Sequence, residues 1–346
     1  MIISPSYRTE GFYLPSRLLG NGELLFCFIL ATIAGLGSFF VIPLYTEGDG
    51  AVYLSFYDEV SGLGIIEAYA YQVLAYSSAE PIHAVSTYLF SRFFSHEQYI
   101  GLTSFVTAFL FANCLLRLNY SKIFVVVFLL ANSYMLVLYL PGERLKLAFI
   151  LFLIGLSFFL RNKNNYGYVF VFLSILAHVQ MSLFIICGLF YSLSPILSRV
   201  FIYGRVKFWV VGVSLALFLV ALVLSDYVIE KVMAYYRSAY VYSSRAGISD
   251  ILKPAVFLFL SLFTQLEKKT VLLSFLPLIL AATVVSSDRI TMVAYFLFLF
   301  FCSKGSIYTK LFLIVLSLYY FLKSISFIDN LLKYGTAFPD STVIRG

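Results

Sequence analysis

The sequence predicts an all-α polytopic membrane protein, with about 11 transmembrane helices and further helices lying at its outer surface. Three observations carry that expectation. Hydrophobic residues make up 61% of the 346 and aromatic residues 19%. Charged residues make up only 12%, where a soluble domain carries about 25%. Mean hydropathy is +0.94, and apolar runs recur along the chain with no soluble domain between them, so residues 1–346 read as a single transmembrane domain.

The runs fall at about 23–45, 98–116, 123–140, 147–160, 166–180, 181–194, 208–225, 254–266, 271–286, 290–303 and 311–326. Several are shorter than the roughly 20 residues that a perpendicular span needs, and they borrow length from flanking aromatics. The first is too long for a signal-peptide core and no small-residue cleavage site follows it, so it reads as a retained helix.

Orientation follows from the basic residues. With residues 1–22 cytoplasmic, the inner loops collect Arg8, Arg17, Arg117, Lys122, Arg161, Lys163, Arg199, Arg205 and Lys207, with Lys268, Lys269, Lys304 and Lys310 further on. Asp49, Glu80, Glu143 and most other acidic residues then face outward, as does the C-terminus. The basic loops follow the positive-inside rule. The net charge of +7 therefore reads as a requirement of insertion into the lipid bilayer, with no nucleic-acid partner implied.

Two long connections lie outside, residues 46–97 and 226–253. The first is too polar to span and too apolar for a free loop, which suggests helices at the interface or dipping partly into the membrane. The second is dense in tyrosine and contains Arg237 and Arg245. Together they suit a roof over an outward-facing cavity.

In "YLPGERLKLAFILF", Glu143, Arg144 and Lys146 open a helix that runs inward from the outer face. Cations at a helix N-terminus oppose the macrodipole by a few tenths of a kcal/mol or more, so stability does not explain Arg144 and Lys146, whereas a bound anion would. In "VVSSDRITMVAY", Asp288 and the serines can cap a helix starting near Ile290, and Arg289 again sits at an outer helix start. With Arg245 and Arg237, these side chains suit a phosphate or pyrophosphate, which guanidinium grips with paired hydrogen bonds. Snorkelling to lipid headgroups is the alternative for any one of them.

"SILAHVQMSLFI" holds the only histidine inside an apolar run. His178 either hydrogen-bonds across helices or, with Gln180 near the outer end of its span, belongs to a site. A neutral imidazole suits proton removal from a sugar hydroxyl. Cys27, Cys114, Cys187 and Cys302 have no paired spacing, and His83, His96 and His178 supply no cluster, so neither a disulfide framework nor a metal site is expected. No Walker loop, dinucleotide glycine pattern or internal repeat is present, so no cofactor is implied.

The order "GDGAVY", "EPIHAVSTYLFSRFF", "GERLKLAFILFL", "LAHVQMSLFI" and "SDRITMVAYF" resembles the EpsG/Wzy group of bacterial polysaccharide polymerases, over about residues 20–305. On that pattern the carried-over residues are Asp49, Tyr53, Glu80, Pro81, Arg144, His178, Ser182 and Arg289. Two departures stand out. Ser182 is four positions from His178 rather than two, and Leu145, Lys146 and Leu147 replace the usual Gln or Gly-Ala after the arginine.

The resemblance implies a fold similar to the GT-C-type lipid-linked-sugar transferases and an enzyme of the bacterial inner membrane. Such an enzyme transfers a glycan from undecaprenyl diphosphate to another lipid-linked repeat unit on the periplasmic face, without a metal. It would have the donor and acceptor glycolipids as partners and, in some systems, a chain-length regulator. His178 is the first choice of base and Glu80 the second. Arg144 and Arg289 would contact pyrophosphate, supported by Lys146 and Arg245, with Asp49, Tyr53 and Gln180 binding substrate. A flippase for the same glycolipid is the principal rival. It should carry charges along both leaflets and broken helices in related halves.

Overall fold

The computed structural model describes residues 18–76, 80–161, 163–203, 248–284, 288–303, 305 and 307–338. Among these the chain is helical, and it forms two compact units: Met1–Met181 with Leu313–Gly346, and Ser182–Phe312. Among the described residues, three helices are long and apolar enough to cross a membrane, or four if one bent pair counts as a span. The expected eleven spans are therefore seen only in part, and the run 208–225 lies outside the described residues.

In the first unit, α1 (Asn21–Val41) packs along α5 (His96–Arg117). The contact is close because both helices offer glycine: a Cβ at Gly35 would sit 2.9 Å from the Gly101 carbonyl oxygen. Small residues let helix backbones approach in lipid, where packing rather than the hydrophobic effect drives association. Away from that seam α1 exposes Ile29, Ile33, Leu36 and Phe40, an apolar face that suits acyl chains. Ser95 begins α5 with a reciprocal capping box with Gln98. Asn119 ends it at φ 63, with Tyr120 N donating to Leu115 O and Asn119 N to Leu116 O, which is the Schellman arrangement.

The connection from 46 to 97 forms three short helices, α2 (Asp49–Val60), α3 (Ile65–Tyr76) and α4 (Pro81–Phe90). Phe56, Val60 and Ala68 form their core, with Leu63, Tyr71 and Tyr88 against it. The run 123–140 is not one helix. It breaks by 58° between α6 (Lys122–Ala131) and α7 (Ser133–Tyr139). Asn132 causes the break by leaving the helical region at φ −101 and ψ 125, where its side chain accepts the Tyr134 N–H at 2.9 Å.

α8 (Glu143–Phe159) and α9 (Asn164–Ala177) form an antiparallel hairpin. Glycine again sets their spacing: a Cβ at Gly155 would lie 2.9 Å from Gly167 O. The basic turns gather at one end of this unit. Lys122 Nζ lies over the Phe26 ring near the start of α1, and Arg117 and Arg161 interact electrostatically. At the other end Glu47 N donates to Gly335 O at 3.0 Å, so the chain beyond the last helix returns to the entrance of α2.

The second unit contains most of α10 (Met181–Tyr203), together with α11 (Ile248–Ser261), α12 (Lys268–Val284) and α13 (Asp288–Cys302). Phe257 packs on Tyr295 and Phe298, and Phe275 on Phe301. The Ser194 and Thr270 hydroxyls pair at 2.7 Å. The last helix, α14 (Ile307–Tyr334), exposes Ile314, Leu318, Leu322 and Ile325.

Candidate functional site

Pro81 occupies the first position of α4, where its missing N–H is not needed. Glu80 therefore becomes the N-cap, in a non-helical conformation at φ −109 and ψ 85, and its side chain turns into the unit, 2% exposed. A buried carboxylate needs partners for both oxygens. His178 Nδ1 lies 2.5 Å from Oε1 and Val179 N donates to the same oxygen at 3.3 Å. Arg144 Nη1 donates to Oε2 at 2.9 Å.

His178 reaches Glu80 because α9 stops at it. The residue caps the helix at φ −160 and ψ 124, so it sits at a break between helices rather than within a span as the apolar run suggested. Gln180 follows in the same turn. In a neutral imidazole, donation from Nδ1 to the carboxylate would place the ring's lone pair on Nε2.

Arg144 also donates from Nε to the Tyr53 hydroxyl at 2.8 Å. Burial pushes the Tyr53 phenol up to about 12, so this oxygen stays protonated and accepts as a neutral group. Gly48 starts α2 at φ 62, a left-handed conformation that favours glycine, and so presents Tyr53 one turn later. Asp49 is exposed in that first turn and interacts electrostatically with Tyr53. The side chain of Arg144 is 21% exposed, so the guanidinium is only partly enclosed.

The anion expected at the start of α8 is therefore present within the chain: it is Glu80. Lys146 requires a correction. Expected beside a bound anion, it is 0% exposed and donates to Ser104 Oγ at 3.2 Å and Tyr139 O at 2.9 Å. One turn of helix carries it past the outer surface and into the bundle, so it serves the break near α7 instead.

Two of the histidines, His83 and His96, meet on one carboxylate, Glu143. His96 Nε2 lies 2.7 Å from Glu143 Oε1, and His83 Nε2 lies 4.0 Å from Glu143 Oε2. His83 Nδ1 lies 2.9 Å from Gln72 Oε1, and Gln72 Nε2 donates to the Glu80 carbonyl at 3.0 Å. His83 also stacks on Phe56. His83, His96, Gln72 and Glu143 were thus missed as members of the site. The available signal was the spacing in "EPIHAV": an N-cap glutamate three residues before a histidine puts both on one turn. Among the described residues no group of three or more His, Cys, Asp or Glu side chains is arranged to hold a metal.

Comparison with protein-family models, curated proteins and solved structures finds no match to this chain. The site must therefore be read from its own chemistry. A carboxylate that orients an imidazole beside a partly exposed guanidinium can support proton removal next to a site of negative charge. Arg237 and Arg245 lie outside the described residues, and of Arg289 only the backbone is described, in the first turn of α13. Ser182 falls in the second unit, at the start of α10.

Proposed function

We propose that the protein is a membrane glycosyltransferase that polymerises undecaprenyl-diphosphate-linked repeat units on the periplasmic face of the inner membrane. The observation that carries this reading is the shared carboxylate: Glu80 holds His178 Nδ1 with one oxygen and Arg144 with the other. His178 accepts the acceptor hydroxyl's proton at Nε2 as the hydroxyl oxygen bonds to the anomeric carbon of the donor. The bond from that carbon to the diphosphate breaks with its electron pair on the leaving oxygen. The added charge falls to Arg144, with Arg289 and Arg245 as further candidates. Glu80 then positions His178 instead of competing with it for the proton, since both its oxygens are engaged.

The test is purified protein in liposomes with lipid-linked repeat units. Ladders that vanish in His178→Ala while protein level and donor binding persist support the reading, since a general base contributes about 10² to 10⁴ in rate. Ladders unchanged in His178→Ala would remove it. Transbilayer movement without ladders would assign a flippase.

A further inference from the structure

The first unit holds a concavity distinct from the groups around Glu80, about 570 Å³ in volume and within the roughly 300–1,000 Å³ of small-ligand sites. It lies where the chain leaves α1, enters α2 and starts α5. Ile42, Tyr45 and Leu54 supply an apolar lining. Gly50 makes room for it, because a Cβ there would collide with the Tyr45 ring. The polar lining includes the carboxyl-bearing residues Asp58, Glu59 and Glu97, and among the described residues no lysine or arginine contributes.

That composition discriminates between ligands. Three carboxylates with no lysine or arginine beside them in the lining repel a phosphate or diphosphate. A metal ion needs convergent ligands at about 2 to 2.6 Å, and no such group occurs among the described residues. A purely apolar ligand would leave the carboxylates to be desolvated without partners. A molecule with one apolar face and many hydroxyl donors satisfies all of these demands, and a pyranose has both.

The cavity is also joined to the Glu80 site. His96 lines it while 6% exposed. From His96 the contacts run through Glu143, His83 and Gln72 to the Glu80 backbone.

We propose that this cavity is a carbohydrate site, binding an uncharged or amino-substituted pyranose through its hydroxyls on Asp58, Glu59 and Glu97 and its C–H face on Pro43 and Leu54. Resting on the polymerase reading, the sugar is the acceptor's, held apart from the diphosphate that Arg144 faces.

Saturation-transfer-difference NMR tests it, with the full chain in phosphatidylglycerol nanodiscs and a panel of methyl glycosides of glucose, galactose, N-acetylglucosamine and rhamnose. At least one glycoside should receive saturation. The signal should fall at least fivefold in Ser55→Trp, which fills the cavity, and in Asp58→Asn, while persisting in His178→Ala. Ser55 and Asp58 are exposed lining positions, so both variants keep the packed interior. No transfer from any glycoside would overturn the assignment, as would transfer that survives both lining variants. Displacement of the glycoside by phosphoethanolamine would overturn it in favour of a lipid headgroup. Glycoside binding by a protein that forms no ladder would uphold the cavity and remove the polymerase reading. Ladders from Ser55→Trp at the wild-type acceptor KM would uphold that reading and remove the cavity.

Discussion

Arg144 and Glu80 stand 64 residues apart in the chain and 2.9 Å apart in space. Their contact fastens the start of α8 to the cap of α4, and His178 joins the same carboxylate from the end of α9. Three helix termini thus converge on one buried anion. Their charges and orphan backbone groups are resolved against each other, as Val179 N shows by donating to Glu80 Oε1.

Arg144→Lys should lower polymerisation by about 10-fold or more even though the charge remains. Lysine is a point charge and cannot donate to Tyr53 and Glu80 in the fixed fork that arginine provides. Ladder length against time in reconstituted liposomes measures this. A wild-type rate in Arg144→Lys would reduce the residue to a lipid anchor.

Tyr53→Phe keeps the ring beside Arg144 and His83 but removes the hydroxyl that accepts from Arg144 Nε. A hydrogen bond to a charged group contributes about 1.5 to 3 kcal/mol. The expected result is about a tenfold or greater loss in kcat/KM together with a fall of a few degrees in the melting temperature. An unchanged kcat/KM would show that Glu80 alone fixes the guanidinium.

Glu143→Gln should destabilise the fold. The carboxylate is 2% exposed and lies between His96 and His83, and removing the anion from a buried, hydrogen-bonded network from one side costs up to about 3 to 5 kcal/mol. A fall of roughly 10 °C in the melting temperature of the detergent-solubilised protein is expected. Glu143→Met combined with His96→Leu should recover part of it, because the His96–Glu143 pair is then removed from both sides rather than from one.

Labelling of single cysteines tests orientation. The native cysteines Cys27, Cys114, Cys187 and Cys302 are all buried, so added ones report cleanly. Asp49→Cys should react with a membrane-impermeant maleimide in intact cells, and Lys163→Cys only after permeabilisation. The reverse pattern would turn the protein over and place the Glu80 site in the cytoplasm.

Composition made the helical membrane class legible, and the interruption of apolar runs by Glu143 and Arg144 pointed to a polar centre at a helix start. Pairing within that centre was not legible. Tyr53, Glu80, Arg144 and His178 are brought together by tertiary packing that no local periodicity encodes. Nor did hydropathy reveal the break at Asn132, since one asparagine hardly changes the mean of a run as apolar as "KIFVVVFLLANSYMLVLYL". Its capping bond to Tyr134 N determines the outcome there. Lys146 was misplaced for a related reason. It stands one turn after Gly142, close enough to the outer end to be read as accessible, yet the bundle closes over it.

The crossing of Gly155 over Gly167 has a remote effect. It lies 11 residues along α8 from Arg144, about 17 Å at 1.5 Å per residue. Because α8 and α9 touch there, a small splay forced at the glycines would become a larger displacement at their far tips, where Arg144 and His178 meet Glu80. A single methyl group added at Gly155 would act as a wedge under a lever, opening the site without touching any residue in it.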